Sequence, residues 1–263
     1  MKRWIGLGIL GLIAYLVFLL AYLPSATAYQ WARGVVPGQL YGVHGTIWNG
    51  QAEAFVSGSR RVNNLSWRIH PWRLVTGRVD TRISGEFQDG RVSGELVVGT
   101  GRSLLVRDLR LHAPVPLLLE WAGRGALTTA AQGRAEVLLR AARIKGPRLL
   151  SADGIVNWND AVISFGNDIP LGNLALRLQP APQQGVTGKL VTRGGVLDLS
   201  GDLRLEPNGT YQIIAHISPR DPNDPKAKRI ISMLQLANPR GTTVVTITGN
   251  VESGNVRVRQ KSG

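Results

Sequence analysis

The sequence predicts a mainly β protein, with one N-terminal transmembrane helix followed by an antiparallel β-sheet domain that carries a few short helices. Three observations predict it. Residues 4–23 carry no charge. Aliphatic and polar residues then alternate with period two in segments separated by Gly, Asn and Asp turns. Glycine supplies 32 of 263 residues, whereas Tyr and Phe number five and four, a composition of turns and short strands rather than long helices.

The uncharged run is built of Leu, Ile, Gly, Ala, Val, Phe, Tyr and Trp. At a helical rise it reaches ~30 Å, the thickness of a bilayer core. Trp4 and Tyr22 stand near its ends, where amphipathic rings favour the headgroup level, and Lys2 and Arg3 precede it. The positive-inside rule keeps those charges in the cytoplasm and sends the rest of the chain across. The rival reading is a cleaved signal peptide, because Ala26-Thr27-Ala28 has an A-x-A form behind Pro24. An apolar stretch this long exceeds the usual signal core of ~7–15 residues, so an uncleaved anchor over residues 1–28 is the favoured expectation. Residues 29–263 then form the β domain, and a composition break near 142–147 marks where two sub-halves would meet.

Within that domain, Val79, Thr81, Ile83, Gly85 and Phe87 alternate with polar residues, which predicts a half-buried antiparallel strand. Gln88-Asp89-Gly90 predicts a turn and Val92–Val98 the returning strand. A clearer hairpin follows, with Leu197–Leu205 outward, a turn at Pro207-Asn208-Gly209, and Tyr211–Ile217 back. Val245, Ile247 and Val251 suggest one further strand and Val256–Arg259 another. Lys226–Leu236 spaces Ala227, Ile230, Ile231 and Leu234 at helical intervals behind Asp224-Pro225, a cap and first-turn pair. Shorter helices are expected at Val115–Trp121 and Pro71–Val75.

Cysteine is absent, which excludes disulfides, thiolate metal sites and a cysteine nucleophile together. Lys and Arg total 31 against 17 Asp and Glu, a net charge of +14. Such a balance suits nucleic acid, anionic lipid or an acidic partner; export from the cytoplasm sets nucleic acid aside and leaves the other two. The histidines, His44, His70, His112 and His216, lack metal-ligand or base–carboxylate spacing. Asp153, Asp160 and Asp168 read as turn and loop carboxylates. No hydrolase, zinc-protease or phosphate-loop motif occurs, so no catalytic, cofactor-binding or metal-binding residue is expected, and the chain reads as a non-enzyme.

The residues that stand out are aromatic. Gly45-Thr46-Ile47-Trp48-Asn49-Gly50 brackets a Trp with glycines, and Trp67, Pro71, Trp72, Leu74 and Gly77 follow closely. Trp48, Gly45, Gly50, Trp67 and Trp72 are the candidate structural or interaction residues. The favoured expectation is an aromatic mini-core shared by the three Trp rings; the alternative is a partner-docking surface.

In order and spacing these features resemble the type II secretion system protein N family. The carrying elements are the single N-terminal apolar segment ending in Leu23-Pro24-Ser25-Ala26, the Gly45–Gly50 stretch, Trp67 with Pro71-Trp72-Arg73-Leu74 and Gly77, the hairpin through Asn208-Gly209-Thr210-Tyr211, the helix to Leu236, and Gly241 before a last strand. The resemblance implies a single-pass protein of the bacterial inner membrane, N-terminus cytoplasmic, with a curved periplasmic β-sheet domain. It implies an accessory, structural role in exporting folded proteins from the periplasm across the outer membrane, in contact with other secretion subunits, and brings no catalytic residues or cofactor. The family is also similar to AsmA-like envelope proteins, so the alternative function is lipid handling by an apolar β groove.

Overall fold

The computed structural model describes residues 15, 18–19, 21–32, 34, 38–58, 60–99, 103–121, 130–164, 167–181, 185–233, 241–251 and 255–262. The expected membrane segment therefore lies mostly outside the described residues, among which no helix is long and apolar enough to cross a membrane. The chain divides into two compact units between Gln88 and Asp89. Residues 142–147, where composition changes, belong to the second unit and form the hairpin between two of its longest strands.

The first unit holds helix α1 (Ser25–Ala32) and strands β1 (Gln39–Tyr41), β2 (His44–Gly45), β3 (Asn49–Ser57), β4 (Arg60–Ile69) and β5 (Val79–Phe87), with a 3-10 helix η1 (Pro71–Thr76) between the last two. Helix α1 takes the place of the A-x-A segment. The strand order is β1-β3-β4-β5, with β2 also on β3, and the pairings are antiparallel. Alternation is strict where β3 begins: Gly50, Ala52 and Ala54 are buried while Gln51 and Glu53 face out. The predicted strand over Val79–Phe87 is β5.

The second unit is an antiparallel meander. Its elements are β6 (Gly90–Gly99), β7 (Ser103–Pro114), α2 (Val115–Trp121), β8 (Ala131–Lys145), β9 (Arg148–Ser164), β10 (Asp168–Ala181), β11 (Gly185–Arg193), β12 (Leu197–Leu205), β13 (Thr210–Pro219), α3 (Pro225–Met233), β14 (Thr243–Asn250) and β15 (Val256–Ser262). Each strand from β6 onward hydrogen-bonds to the next. Register sorts the side chains. One transverse row reads Val92, Leu111, Val137, Val156, Leu176, Leu190, Gly201, Ala215 and Val245. The neighbouring row, on the other face, begins Arg91, His112, Glu136 and Asn157. One face is thus aliphatic and the other polar and cationic, as a period of two requires.

Two clusters occupy the aliphatic face. One gathers Val106, Ala142, Ala152 and Val186. The other joins Ala161, Ile169, Leu171 and Leu197 to Ile230 and Ile231 of α3, so this helix closes one end of the face. Asp224 caps α3, its Oδ1 accepting the Lys226 N–H at 2.8 Å. Cα atoms of β9 and β11 approach within 8 Å across β10, closer than two flat strand spacings of about 9.6 Å. Over the same stretch Leu176, Leu178 and Leu203 converge on the Cα of Gly188. The sheet bends there.

Two expectations need correction and one is untested. Asp153 and Asp160 lie within β9 and Asp168 opens β10, so they are strand residues and not loop carboxylates. Val251 falls in the turn after β14 and is exposed. The end of the expected helix, residues 234–236, lies outside the described residues.

Candidate functional site

Of the singled-out residues, Gly45, Trp48, Gly50 and Trp67 come together at one end of the first unit. Thr46 to Asn49 form the tight turn joining β2 to β3: the Thr46 N–H donates to the Asn49 carbonyl at 3.0 Å, and the Thr46 hydroxyl accepts the Asn49 N–H at 3.1 Å. Gly45 enters this turn at φ 85°, and a Cβ there would stand 2.4 Å from the Asn49 carbonyl oxygen, so only glycine fits. Trp67 of β4 pairs with Gly50 of β3. A Cβ on Gly50 would lie 2.3 Å from Trp67 Cζ2; the missing side chain is the seat of the indole. Its Nε1–H donates to the Ile47 carbonyl at 3.1 Å, which locks the ring over the turn. The second unit uses the same device, with Trp158 Nε1–H donating to the Gln132 carbonyl at 2.8 Å beside Gly133.

Trp48 is half-buried at the tip of the turn. Its carbonyl accepts the Ile69 N–H at 2.7 Å, which ties the turn to the end of β4. The chain emerging from the apolar run is tied to the same place. The Ile47 N–H donates to the Leu23 carbonyl at 3.1 Å, Pro24 bridges to Thr46, and the Ser25 hydroxyl donates to the Gly45 carbonyl at 3.0 Å.

Trp72 does not join this packing. It stands on η1, 83% exposed, with Leu74 beside it 40% exposed. The expected three-ring mini-core is therefore corrected to Trp67 seated on Gly50, with Trp48 at the turn and Trp72 in solvent. The reason is the way η1 is anchored. Asp80, 1% exposed, holds the Arg73 guanidinium at 2.9 Å through Oδ2, and its backbone carbonyl accepts the His70 N–H at 3.1 Å. Gly77 ends the helix at φ 70°. Arg73 is tied to Asp80 while still half exposed, and Trp72 and Leu74 on either side of it face solvent. Around η1 lie the exposed side chains of Arg68, Arg78 and Arg82, and Arg68 and Arg82 are direct cross-strand partners.

Elsewhere the polar groups are spread out. His44, His70, His112 and His216 sit on or beside four different elements. Asp153 pairs with Arg140 at 2.8 Å, Asp198 with Arg220, and Asp168 accepts the Ser164 hydroxyl. Among the described residues no group of His, Asp and Glu is arranged to hold a metal ion. An open concavity of about 760 Å³ lies over β6–β8, lined by Arg91, Asp108, Arg110, His112, Glu136 and Arg140 together with Leu109, Leu111, Leu138 and Leu139. Sequence reasoning missed it, since it belongs to three adjacent strands and to no local motif.

The family described as Type II secretion system (T2SS), protein N matches residues 38–246. Proteins named Type II secretion system protein N are similar along nearly their whole length. That of Aeromonas hydrophila is 28% identical over 83% of this chain and 87% of its own. That of Vibrio cholerae is 25% identical over 92% and 96%, and that of Pectobacterium carotovorum 24% identical over 95% and 99%. No solved structure matches the chain. Since the family match runs from β1 into β14, through both compact units, the chain belongs to the type II secretion system protein N family.

Proposed function

We propose that the protein is an accessory inner-membrane component of the type II secretion system, anchored by residues 4–23 with its β units in the periplasm, and that it works by contact with other secretion subunits rather than by catalysis. The observation that carries this is the family match across 38–246. The uncharged run behind Lys2 and Arg3 supports the topology. The layout of the sheet supports a scaffold: a long antiparallel ladder, bent at β9–β11, whose polar face offers area and charge to a partner. The lipid-handling alternative is not favoured, because the similar proteins are named for secretion.

The test has two readouts in one strain. A reporter active only in the periplasm, fused after residue 60, is expected to be active, and deleting the gene is expected to leave exported enzymes in the periplasm. Export at the parental level after deletion overturns the secretion role; activity of a cytoplasm-only reporter at residue 60 overturns the topology.

A further inference from the structure

We propose that the η1 end of the first unit is a membrane-surface contact, in which Trp72 and Leu74 enter the headgroup layer and Arg68, Arg78 and Arg82 hold the phosphates of anionic phospholipid. The inference rests on the reading of residues 4–23 as a membrane span.

Continuity of the chain says what covers this surface. Leu23, the last residue of the apolar run, is hydrogen-bonded to Ile47, and Trp48 to Ile69. Pro71 opens η1 two residues later. From the point where the chain leaves the run to the start of η1 there are thus two hydrogen-bonded steps, about 10 Å at strand spacing, and three residues of chain, at most about 10 Å more. A run that spans the bilayer delivers Leu23 to the interface, and η1 with it.

The chemistry matches that location. Trp72, exposed at 83%, contributes little to the fold, yet its mount is tied down: Pro71, the ion pair from the half-exposed Arg73 to the buried Asp80, and the left-handed Gly77 fix its place. Indole rings and arginines are the side chains that settle at the headgroup level. Arg68 and Arg82 stand directly opposite one another on neighbouring strands, an arrangement that costs stability and that a shared anion relieves. Neither they nor Arg78 form an ion pair with a carboxylate among the described residues.

The natural absence of cysteine makes single-site labelling unambiguous. Full-length Ala14→Cys, Leu74→Cys and Ser57→Cys chains carry a nitroxide label in vesicles of phosphatidylethanolamine and phosphatidylglycerol, and label depth is read from relaxation by oxygen against a water-soluble reagent. Ser57 ends β3, at the far end of the β3–β4 hairpin from η1. The expected result is position 14 in hydrocarbon, position 74 at headgroup depth and position 57 in water. Arg68→Gln with Arg82→Gln should shift position 74 toward water by about fivefold per arginine in its docked-to-free ratio, as should pure phosphatidylcholine vesicles. Position 74 in water while position 14 is in hydrocarbon overturns the contact and leaves the span standing. Position 14 in water overturns the span and the contact with it. Headgroup depth at position 74 that ignores both the arginine changes and the lipid charge overturns the phosphate site. A position 74 label that is wet in vesicles but covered in membranes holding the whole secretion machine assigns the surface to a protein and overturns the lipid.

Discussion

Three helical connections join neighbouring strands among the described residues, and two of them, α3 and η1, treat their apolar residues in opposite ways. Helix α3, between β13 and β14, buries Ala227, Ile230 and Ile231 to 0%, 6% and 1% exposure. The 3-10 helix between β4 and β5 leaves Trp72 and Leu74 outside. An α-helix of this length gathers residues at i, i+3 and i+4 into one stripe, and α3 lays that stripe on Ile169, Leu171 and Leu197. A 3-10 turn has three residues per turn, and here the tie to the sheet is made by Arg73, whose half-exposed side chain reaches the buried Asp80. Which way an apolar residue faces is decided by what its element is anchored with, and a polar anchor reverses the usual outcome.

The largest expected effect tests the inward side of this comparison. Ile231→Ala should cost ~2–5 kcal/mol of unfolding free energy, the transfer and cavity cost of truncating a buried Ile. Denaturant unfolding of the purified full chain measures it, and a loss under ~1 kcal/mol would mean that α3 does not close the sheet end.

The next sharpens the contrast between the seated indole and the exposed one. Gly50→Ala sets a methyl 2.3 Å from the Trp67 ring and should cost ~1–3 kcal/mol by overpacking. Trp67→Ala in the same chain should absorb that penalty, so the double variant comes out more stable than the sum of the singles predicts. Strict additivity in the cycle would separate the two residues.

The smallest effect on stability belongs to the outward side. Trp72→Ala should leave the melting transition within ~0.5 kcal/mol of the parent, as expected of a solvent-exposed position, while lowering export in a secretion assay. A large fall in melting temperature would make Trp72 part of the core after all.

The sequence pattern carried much of this fold and less of the site. Alternation located β5, β12 and β13, and helical spacing with Asp224-Pro225 located α3 close to its observed start. It did not delimit β8 and β9. Their register shifts at Gln132/Arg134, Leu139/Ala141 and Arg143/Ile144, and each shift resets the period of two, so a regular pattern never accumulates. Asp160 takes φ 50° inside β9, and with its neighbouring Asn residues it reads as a turn. At the site, the glycines flanking Trp48 did signal close packing, but the ring they admit at Gly50 is that of Trp67, seventeen positions on. The outward turn of Trp72 depends on the Arg73–Asp80 pair, whose partners gain meaning only once β5 folds back beside η1.

The open meander also ends in a strand with something to defend. Among the described residues β15 pairs only with β14, which leaves a row of backbone amides and carbonyls on its outer side, and an unguarded row of that kind recruits other chains into fibrillar stacks. Here Arg257 and Arg259 alternate with Val256 and Val258, and Lys261 follows. A second copy laid antiparallel along this edge about Val258 would set Arg257 against Arg259 in both directions, a repulsion built into any symmetric pairing. Part of the chain's positive charge is thereby a guard on its last strand, keeping a long open sheet from growing by adding copies of itself.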